Sequence, residues 1–113
     1  MNLSGEAEYV VKRAQEGHGC VVTLGPLLLF STHSGDAWLL EPEGGLALCL
    51  ARNGERLPVT ILDTPTTFSI EWTASYRIHR DEFTVQERAG RGRCILGYPT
   101  DEIHKAIRRI SKP

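Results

Sequence analysis

The sequence predicts an α+β domain, a strongly bent antiparallel meander sheet or partial barrel of about eight or nine short strands with one N-terminal and one C-terminal helix. Two observations support this class. Short apolar runs between residues 20 and 97 are interrupted at roughly eight- to twelve-residue intervals by Gly, Pro, Asn or Asp, which is typical of strands joined by turns. The apolar residues near each end of the chain instead recur at helical spacing. A length of 113 residues fits one domain, 1–113.

The N-terminal helix is predicted from about residue 5 to residue 16. Ser4 is a good N-cap and Gly17 a good stop. The apolar residues of this segment share one helical face, so we expect that face to cover the sheet. They are Leu3, Ala7, Val10, Val11 and Ala14.

The first four strands follow from apolar runs and the turn residues between them. They are predicted at 20–24, 27–33, 37–41 and 46–52. Gly25-Pro26 interrupts the first two, since Pro26 has no N–H to donate to a ladder. The fourth, LALCLAR, is apolar on both faces, which indicates a central strand covered on both sides.

The second half of the chain begins at Asn53-Gly54, a strong hairpin signal because both residues tolerate positive φ. Further strands are predicted at 58–62, 67–72, 75–79, 82–88 and 93–98. The run at 67–72 alternates apolar and polar residues, as a half-exposed strand does. Thr100 is a suitable cap for a last helix at about 101–111, with an apolar stripe of Ile103, Ala106, Ile107 and Ile110.

The composition, 41% hydrophobic and 24% charged, is that of an ordinary soluble globular protein. The first residues lack the regions of a secretory signal, and the apolar run LGPLLLF is too short to span a bilayer. Three cysteines allow at most one disulfide and leave one thiol free. We therefore predict a cytoplasmic protein with reduced cysteines and no membrane contact.

Charge is divided unevenly along the chain. Residues 1–72 contain four Lys and Arg against nine Asp and Glu, and residues 73–113 contain nine against five, so the two parts carry −5 and +4 of the net −1. If these parts lie apart in space, the surface has an acidic and a basic side. That favours a charged partner, or an antiparallel pair in which each acidic side meets a basic one. The alternative is that folding mixes the two parts.

No catalytic, cofactor-binding or metal-ligating residue is predicted. His18 and Cys20 form an H-x-C pair, but the second pair that a zinc site needs is missing. Cys49 and Cys94 lie in apolar runs, where cysteine packs as a small hydrophobe. The turn at residues 33–36 contains His, Ser and Asp, which turns also favour for steric reasons.

Two sets of residues are candidates for binding. Aromatic side chains would line a ligand pocket if the sheet curls around one, and they are Phe30, Trp38, Trp72 and Tyr76. Arginines near the predicted turn at residues 88–92 would form a basic surface for single-stranded nucleic acid, and they are Arg77, Arg88, Arg91 and Arg93. The simpler interpretations are core packing for the aromatics and solubilising charge for the arginines, so nucleic acid is not the expected partner.

The function expected from the sequence is that of a small non-enzymatic binding or regulatory domain, acting through a protein partner or through homodimer formation. A meander that does not close leaves edge strands, and the run CVVTL contains no charge to protect an edge. The alternatives are a small-molecule-binding barrel with modest enzymatic activity, and a weak nucleic-acid binder.

Overall fold

A computed structural model describes residues 3–59, 61–63, 68–70, 72–79, 82–87 and 93–97. Within these residues one helix is followed by ten strands. The elements are α1 (Leu3–Gln15), β1 (Cys20–Leu24), β2 (Leu27–Ser31), β3 (Ala37–Glu41), β4 (Leu46–Arg52), β5 (Glu55–Arg56), β6 (Leu62–Asp63), β7 (Phe68–Ser69), β8 (Ala74–His79), β9 (Glu82–Glu87) and β10 (Arg93–Gly97).

Helix α1 begins earlier than predicted and ends at Gln15, one residue before the predicted end. Leu3, the first described residue, is already helical, so Ser4 lies inside the helix and does not cap it from outside. At the other end Gly17 has a φ of 75°. The N–H of Gly17 donates to the carbonyl of Ala14 (3.0 Å), and the N–H of His18 donates to that of Arg13 (2.9 Å). This pair of bonds is a Schellman cap, which explains why the helix stops at this glycine.

The predicted apolar face of α1 is confirmed, because all five of its residues are buried. They pack on one face of the sheet, and we call the result the helix-side core. Its other buried members come mainly from β2, β3 and β4, and are Leu24, Leu27, Leu29, Ala37, Leu39, Leu48, Leu50 and Ala51.

The main sheet is antiparallel, with strand order β1-β2-β3-β4-β8-β9-β10, and short β5 pairs with β4 beside this path. β6 and β7 form a separate two-stranded sheet. The α+β class and the antiparallel sheet are thus confirmed. The described strands do not close into a barrel, since β1 and β10 stand at the two ends of the path.

Two tight turns set the local register. Gly25 has a φ of 57°, and Gly25-Pro26 joins β1 to β2 as a two-residue hairpin turn. A glycine with positive φ at the first turn position is what a type II′ turn requires. Asn53 (φ 53°) and Gly54 (φ 82°) join β4 to β5. Positive φ at both positions is the type I′ geometry that the sequence predicted here.

Of the strand predicted at 58–62, only Leu62 lies in a strand among the described residues, as the first residue of β6. The chain returns from the Asn53-Gly54 turn as Glu55–Arg56, and the N–H of Leu57 makes one more bond to the carbonyl of Leu50 (3.0 Å). Pro58 then ends the ladder because it has no N–H. Of the strand predicted at 67–72, the described residues that form a strand are Phe68–Ser69. Ile70 and Trp72 lie beyond it and pack, partly buried, against the helix-side core.

Strand β4 is central, as predicted. Ala47 belongs to a second cluster on the opposite face of the sheet, which we call the far-face core, whereas Leu48 and Leu50 belong to the helix-side core. The other buried members of the far-face core extend from β2 to β9, and are Leu28, Phe30, Trp38, Leu40, Ala74 and Val85.

The last three predicted strands are confirmed to within one residue at each end, as β8, β9 and β10. The second helix, predicted at 101–111, lies outside the described residues. In the part of the chain that the structure describes, no helix has the length and apolar character needed to cross a membrane.

Candidate functional site

Strand β1 forms one end of the main sheet. It pairs with β2, and no described residue pairs with its other side, which we call the β1 edge. Cys20, Val21 and Val22 are half-buried and Thr23 is exposed. The strand therefore presents an uncharged, partly apolar row beside unpaired backbone groups, which is a template for pairing with another strand.

The four aromatic residues predicted to line a pocket do not all lie on one face. Phe30 and Trp38 are registered across β2 and β3 and are buried in the far-face core, against which Tyr76 packs. Trp72 packs instead against the helix-side core. The structure therefore brings three of the four together, and a ligand pocket at these residues stays a prediction.

Tyr76 is the one residue of these four whose side chain can titrate. Burial, assisted by the nearby Glu41 carboxylate, raises the pKa of its phenol to about 12. Its backbone N–H donates to the carbonyl of Gly45 in the turn between β3 and β4 (2.8 Å). Tyr76 thus links β8 to that turn.

The predicted basic surface is only partly described. Arg77 is exposed on β8. Arg93 lies on β10, registered with Gln86 of β9, which in turn is registered with Ser75. The backbone thus places Arg93 two strands away from β8 and close to the level of Arg77. Arg88 and Arg91 lie outside the described residues, so the nucleic-acid surface stays a prediction.

A groove that the sequence did not predict lies between α1 and the β4–β5 hairpin, with a volume of about 220 Å³. Ala7, Val11 and Leu50 are among its apolar lining residues. At its mouth Arg56 donates two hydrogen bonds to the carboxylate of Glu8, and this contact holds the pKa of Glu8 below its usual value. Both side chains are exposed, so the ion pair contributes little to stability. No sequence pattern predicts this ion pair, because Glu8 and Arg56 are far apart along the chain.

The polar residues of the turn between β2 and β3 form a connected network. Thr32 accepts a bond from the N–H of Asp36 (3.1 Å), and the hydroxyl of Ser34 lies 2.9 Å from that of Thr32 and donates to the Asp36 carboxylate (3.5 Å). That carboxylate also accepts the N–H of Asn53 (3.0 Å). The predicted role of Asp36 as a turn residue is confirmed, and its carboxylate joins two turns.

The H-x-C pair is engaged in a similar way. The hydroxyl of Ser31 lies 2.7 Å from the carbonyl of His18 and 3.1 Å from the sulfur of Cys20, while His33 Nδ1 lies 3.1 Å from the carbonyl of Gly17. These contacts fasten the end of α1 to β2. Among the described residues, no three His, Cys, Asp or Glu side chains converge as metal ligands would.

Comparisons with protein-family models, with curated proteins and with solved structures each found no match.

Proposed function

We propose that this chain is a non-enzymatic binding or regulatory domain that acts through protein–protein contacts, including association with copies of itself. The observation that carries this proposal is the β1 edge, where half-buried, uncharged side chains lie beside the one side of β1 that pairs with no described residue. Natural edge strands are usually protected by charge, proline or a covering element. Within β1, from Cys20 to Leu24, there is neither a charge nor a proline.

The polar residues whose types suggest catalysis support the same proposal. Asp36, Ser34 and Thr32 bond to one another and to a neighbouring turn, and His33 lies within bonding distance of a backbone carbonyl. Their local bonds account for their presence in structural terms. Turn networks of this kind hold a surface in a fixed shape, as a binding domain requires.

Sedimentation equilibrium tests the proposal. We expect a species of about twice the 12.6 kDa chain mass at tens of micromolar protein. Native mass spectrometry of freshly purified protein is the companion measurement, because it reports subunit number and any retained ligand together. A single species of 12.6 kDa in both measurements would contradict self-association.

The groove beside α1 favours a second candidate function, small-molecule binding. It combines apolar walls with a carboxylate and a guanidinium at its mouth, the mixture that ligand sites commonly show. A stoichiometric adduct in the native mass spectrum, lost when Leu50 is replaced by Phe to fill the groove, would favour it. An unchanged adduct in the Leu50→Phe variant would place the ligand elsewhere. Nucleic-acid binding through the arginines is a third candidate, which only the exposed Arg77 supports among the described side chains.

A further inference from the structure

We infer that β1 pairs with β1 of a second copy, antiparallel about a two-fold axis at Val22, so that two sheets join into one. The inference rests on the proposed function and specifies its partner and its register. It commits to a second copy of this chain on the grounds of backbone geometry, the symmetry of the sequence about Val22 and the self-complementary flank of α1.

The backbone geometry follows from the hairpin. Leu24 and Leu27 flank the two-residue turn and are registered with each other. In an antiparallel ladder such a flanking pair exchanges hydrogen bonds, and bonded and non-bonded pairs then alternate. Val22 therefore directs its N–H and C=O toward β2, whereas Val21 and Thr23 direct theirs away from the sheet. The β1 edge thus offers two donors and two acceptors at adjacent outward positions.

These outward groups are symmetric about Val22. When Val22 faces its own copy, Val21 lies opposite Thr23 of the second copy, and each outward N–H meets an outward C=O. Valine and threonine have the same branched shape, so the exchange costs little in packing. The same register sets Gly19 opposite Gly25, where the absence of side chains lets the strand ends approach. A sequence that reads almost alike in both directions suits an isologous contact.

The flank of α1 on the β1 side is also self-complementary. Ser4 and Glu8 face the groove beside β4 and β5, so the opposite flank of the helix lies toward β1. At a spacing of three and four residues, Glu6, Tyr9 and Arg13 form a row on that flank. Tyr9 is 49% exposed, an unusual exposure for a large aromatic side chain. The two-fold axis makes the two helices antiparallel, so the Glu6 end of one row faces the Arg13 end of the other.

The sequence suggested a pair in which each acidic side meets a basic one, and the strand order does not favour such a contact through β1. β1 belongs to the acidic part of the chain and β10 to the basic part, and they stand at opposite ends of the sheet. A pair joined through β1 therefore brings the two acidic parts together. Added salt would screen this repulsion as well as the attraction between Glu6 and Arg13, so it should not weaken the pair. A contact between β1 and β10 of another copy would join acidic to basic parts, weaken with salt and repeat into open polymers.

Cross-linking tests the register. Val22→Cys places two thiols across a non-bonded antiparallel pair, where the Cα atoms lie about 4.5 Å apart, within disulfide range. Thr23→Cys is the matched control, because its thiols would be offset along the strands and beyond that range. On mild oxidation we expect the Val22→Cys protein to form disulfide-linked dimers. The Thr23→Cys protein should form no more of them than the wild type does. The wild type measures the background cross-linking from the native cysteines. Equal cross-linking of both variants would overturn the register.

Thr23→Pro tests the edge itself. The substitution removes an outward N–H from each copy but no bond to β2, so the variant should keep the circular dichroism spectrum of the wild type. Its urea midpoint should match that of the wild type at protein concentrations where both are monomeric. Its dimer dissociation constant should rise about tenfold or more, whereas Thr23→Val, which keeps the N–H, should leave it nearly unchanged.

The outcomes separate the inference from the proposed function. A folded Thr23→Pro protein that dimerises as the wild type does would overturn the β1 interface and leave self-association standing. A wild-type monomer would overturn self-association and the β1 pair together, and salt-sensitive polymers would overturn the closed pair. If Thr23→Pro does not fold, the comparison of the two cysteine variants still decides.

Discussion

Gly35 is a residue whose identity follows from contact between two turns. Its φ is 93°, and its carbonyl accepts the N–H of Gly54 at 2.8 Å. A Cβ on Gly35 would collide with the backbone nitrogen of Gly54 and lie 2.9 Å from the carbonyl carbon of Asn53. Gly54 has a similar φ of 82°, but a Cβ there meets no atom within 4 Å. The two glycines thus share backbone strain and differ in available space.

Gly35→Ala should destabilise the protein more than Gly54→Ala. Both substitutions cost about 1–2 kcal/mol for an L-residue with positive φ. Only Gly35→Ala also forces the two turns apart and weakens the bond from Asn53 to the Asp36 carboxylate. Urea denaturation of the two variants measures the difference, and equal losses would show that the turns do not depend on this close approach.

Tyr76 gives the protein a defined alkaline response. Its pKa is raised from 10.0 to about 12, so the unfolded chain releases the phenolic proton at lower pH than the folded one. The stability that the neutral phenol contributes is therefore fully present below pH 10, and it is lost as the pH rises toward 12.

We expect the urea midpoint of the wild type to fall more between about pH 9 and about pH 11 than that of Tyr76→Phe, since phenylalanine does not titrate. The variant also serves as the control for lysines and other tyrosines, which titrate in both proteins. The ultraviolet absorbance of tyrosinate gives the pKa directly. A parallel loss of stability in both proteins would show that Tyr76 does not carry this dependence.

The sequence could identify aromatic residues of the candidate pocket but not the face of the sheet on which each one lies. Phe30 and Trp38 belong to consecutive strands, so alternation and register place them together. Trp72 lies in a segment that is not a regular strand, and its face depends on how the chain crosses from β7 to β8. Alternation along a strand carries no information there.

At the scale of the element, β4 is the strand on which the rest of the sheet depends. It pairs with β3, β5 and β8, and its side chains enter both cores. The sequence predicted its bounds of 46–52 because turn-forming residues stand on both sides, Gly45 before the strand and Asn53-Gly54 after it. Its central position could be predicted because apolar residues on both faces of a strand indicate that both faces are buried.

Leu48→Ala should reduce the free energy of unfolding by about 2–5 kcal/mol, as truncations of buried leucine do. Leu48 is 3% exposed in the helix-side core, so the cavity forms beneath α1. Leu46→Ala is the matched control on the same strand, since Leu46 is only half-buried and should cost less. Urea melts of both variants measure the losses. A loss below about 1 kcal/mol for Leu48→Ala would contradict its place in the core.

The strand predicted at 58–62 shows where the local pattern fails. Its apolar residues resemble a strand, but the turn at Asn53-Gly54 requires pairing to begin at once, with Glu55 and Arg56. Ile61 then packs against the helix-side core without joining a ladder. The segment is apolar because part of it packs against the core. An apolar run alone does not distinguish a strand from an irregular segment that covers a core.

At the scale of the whole molecule, the strand order divides the main sheet into two parts. The strands from residues 20–52 occupy one side and those from residues 74–97 the other, so the acidic and basic parts of the sequence stay apart among the described strands. Consecutive hairpins were predictable from their turns. The crossing from β4 to β8 was not, because its connection contains β5, β6 and β7 and no single turn residue specifies it.

The junction between these two parts has a consequence for local unfolding. β3 and β4 share five registered pairs and β8 and β9 share six, but β4 and β8 share only Leu46↔Ser75 and Ala47↔Ala74. A short ladder breaks at lower free energy than the long ones beside it, so the sheet should open first along this line. The two resulting units, β1 to β5 and β8 to β10, should each stay intact. Native-state hydrogen exchange would then show the amides of the β4–β8 junction exchanging before those between β3 and β4. The far-face core, which spans both units through Ala47, Ala74 and Val85, would be the packing that closes the line again.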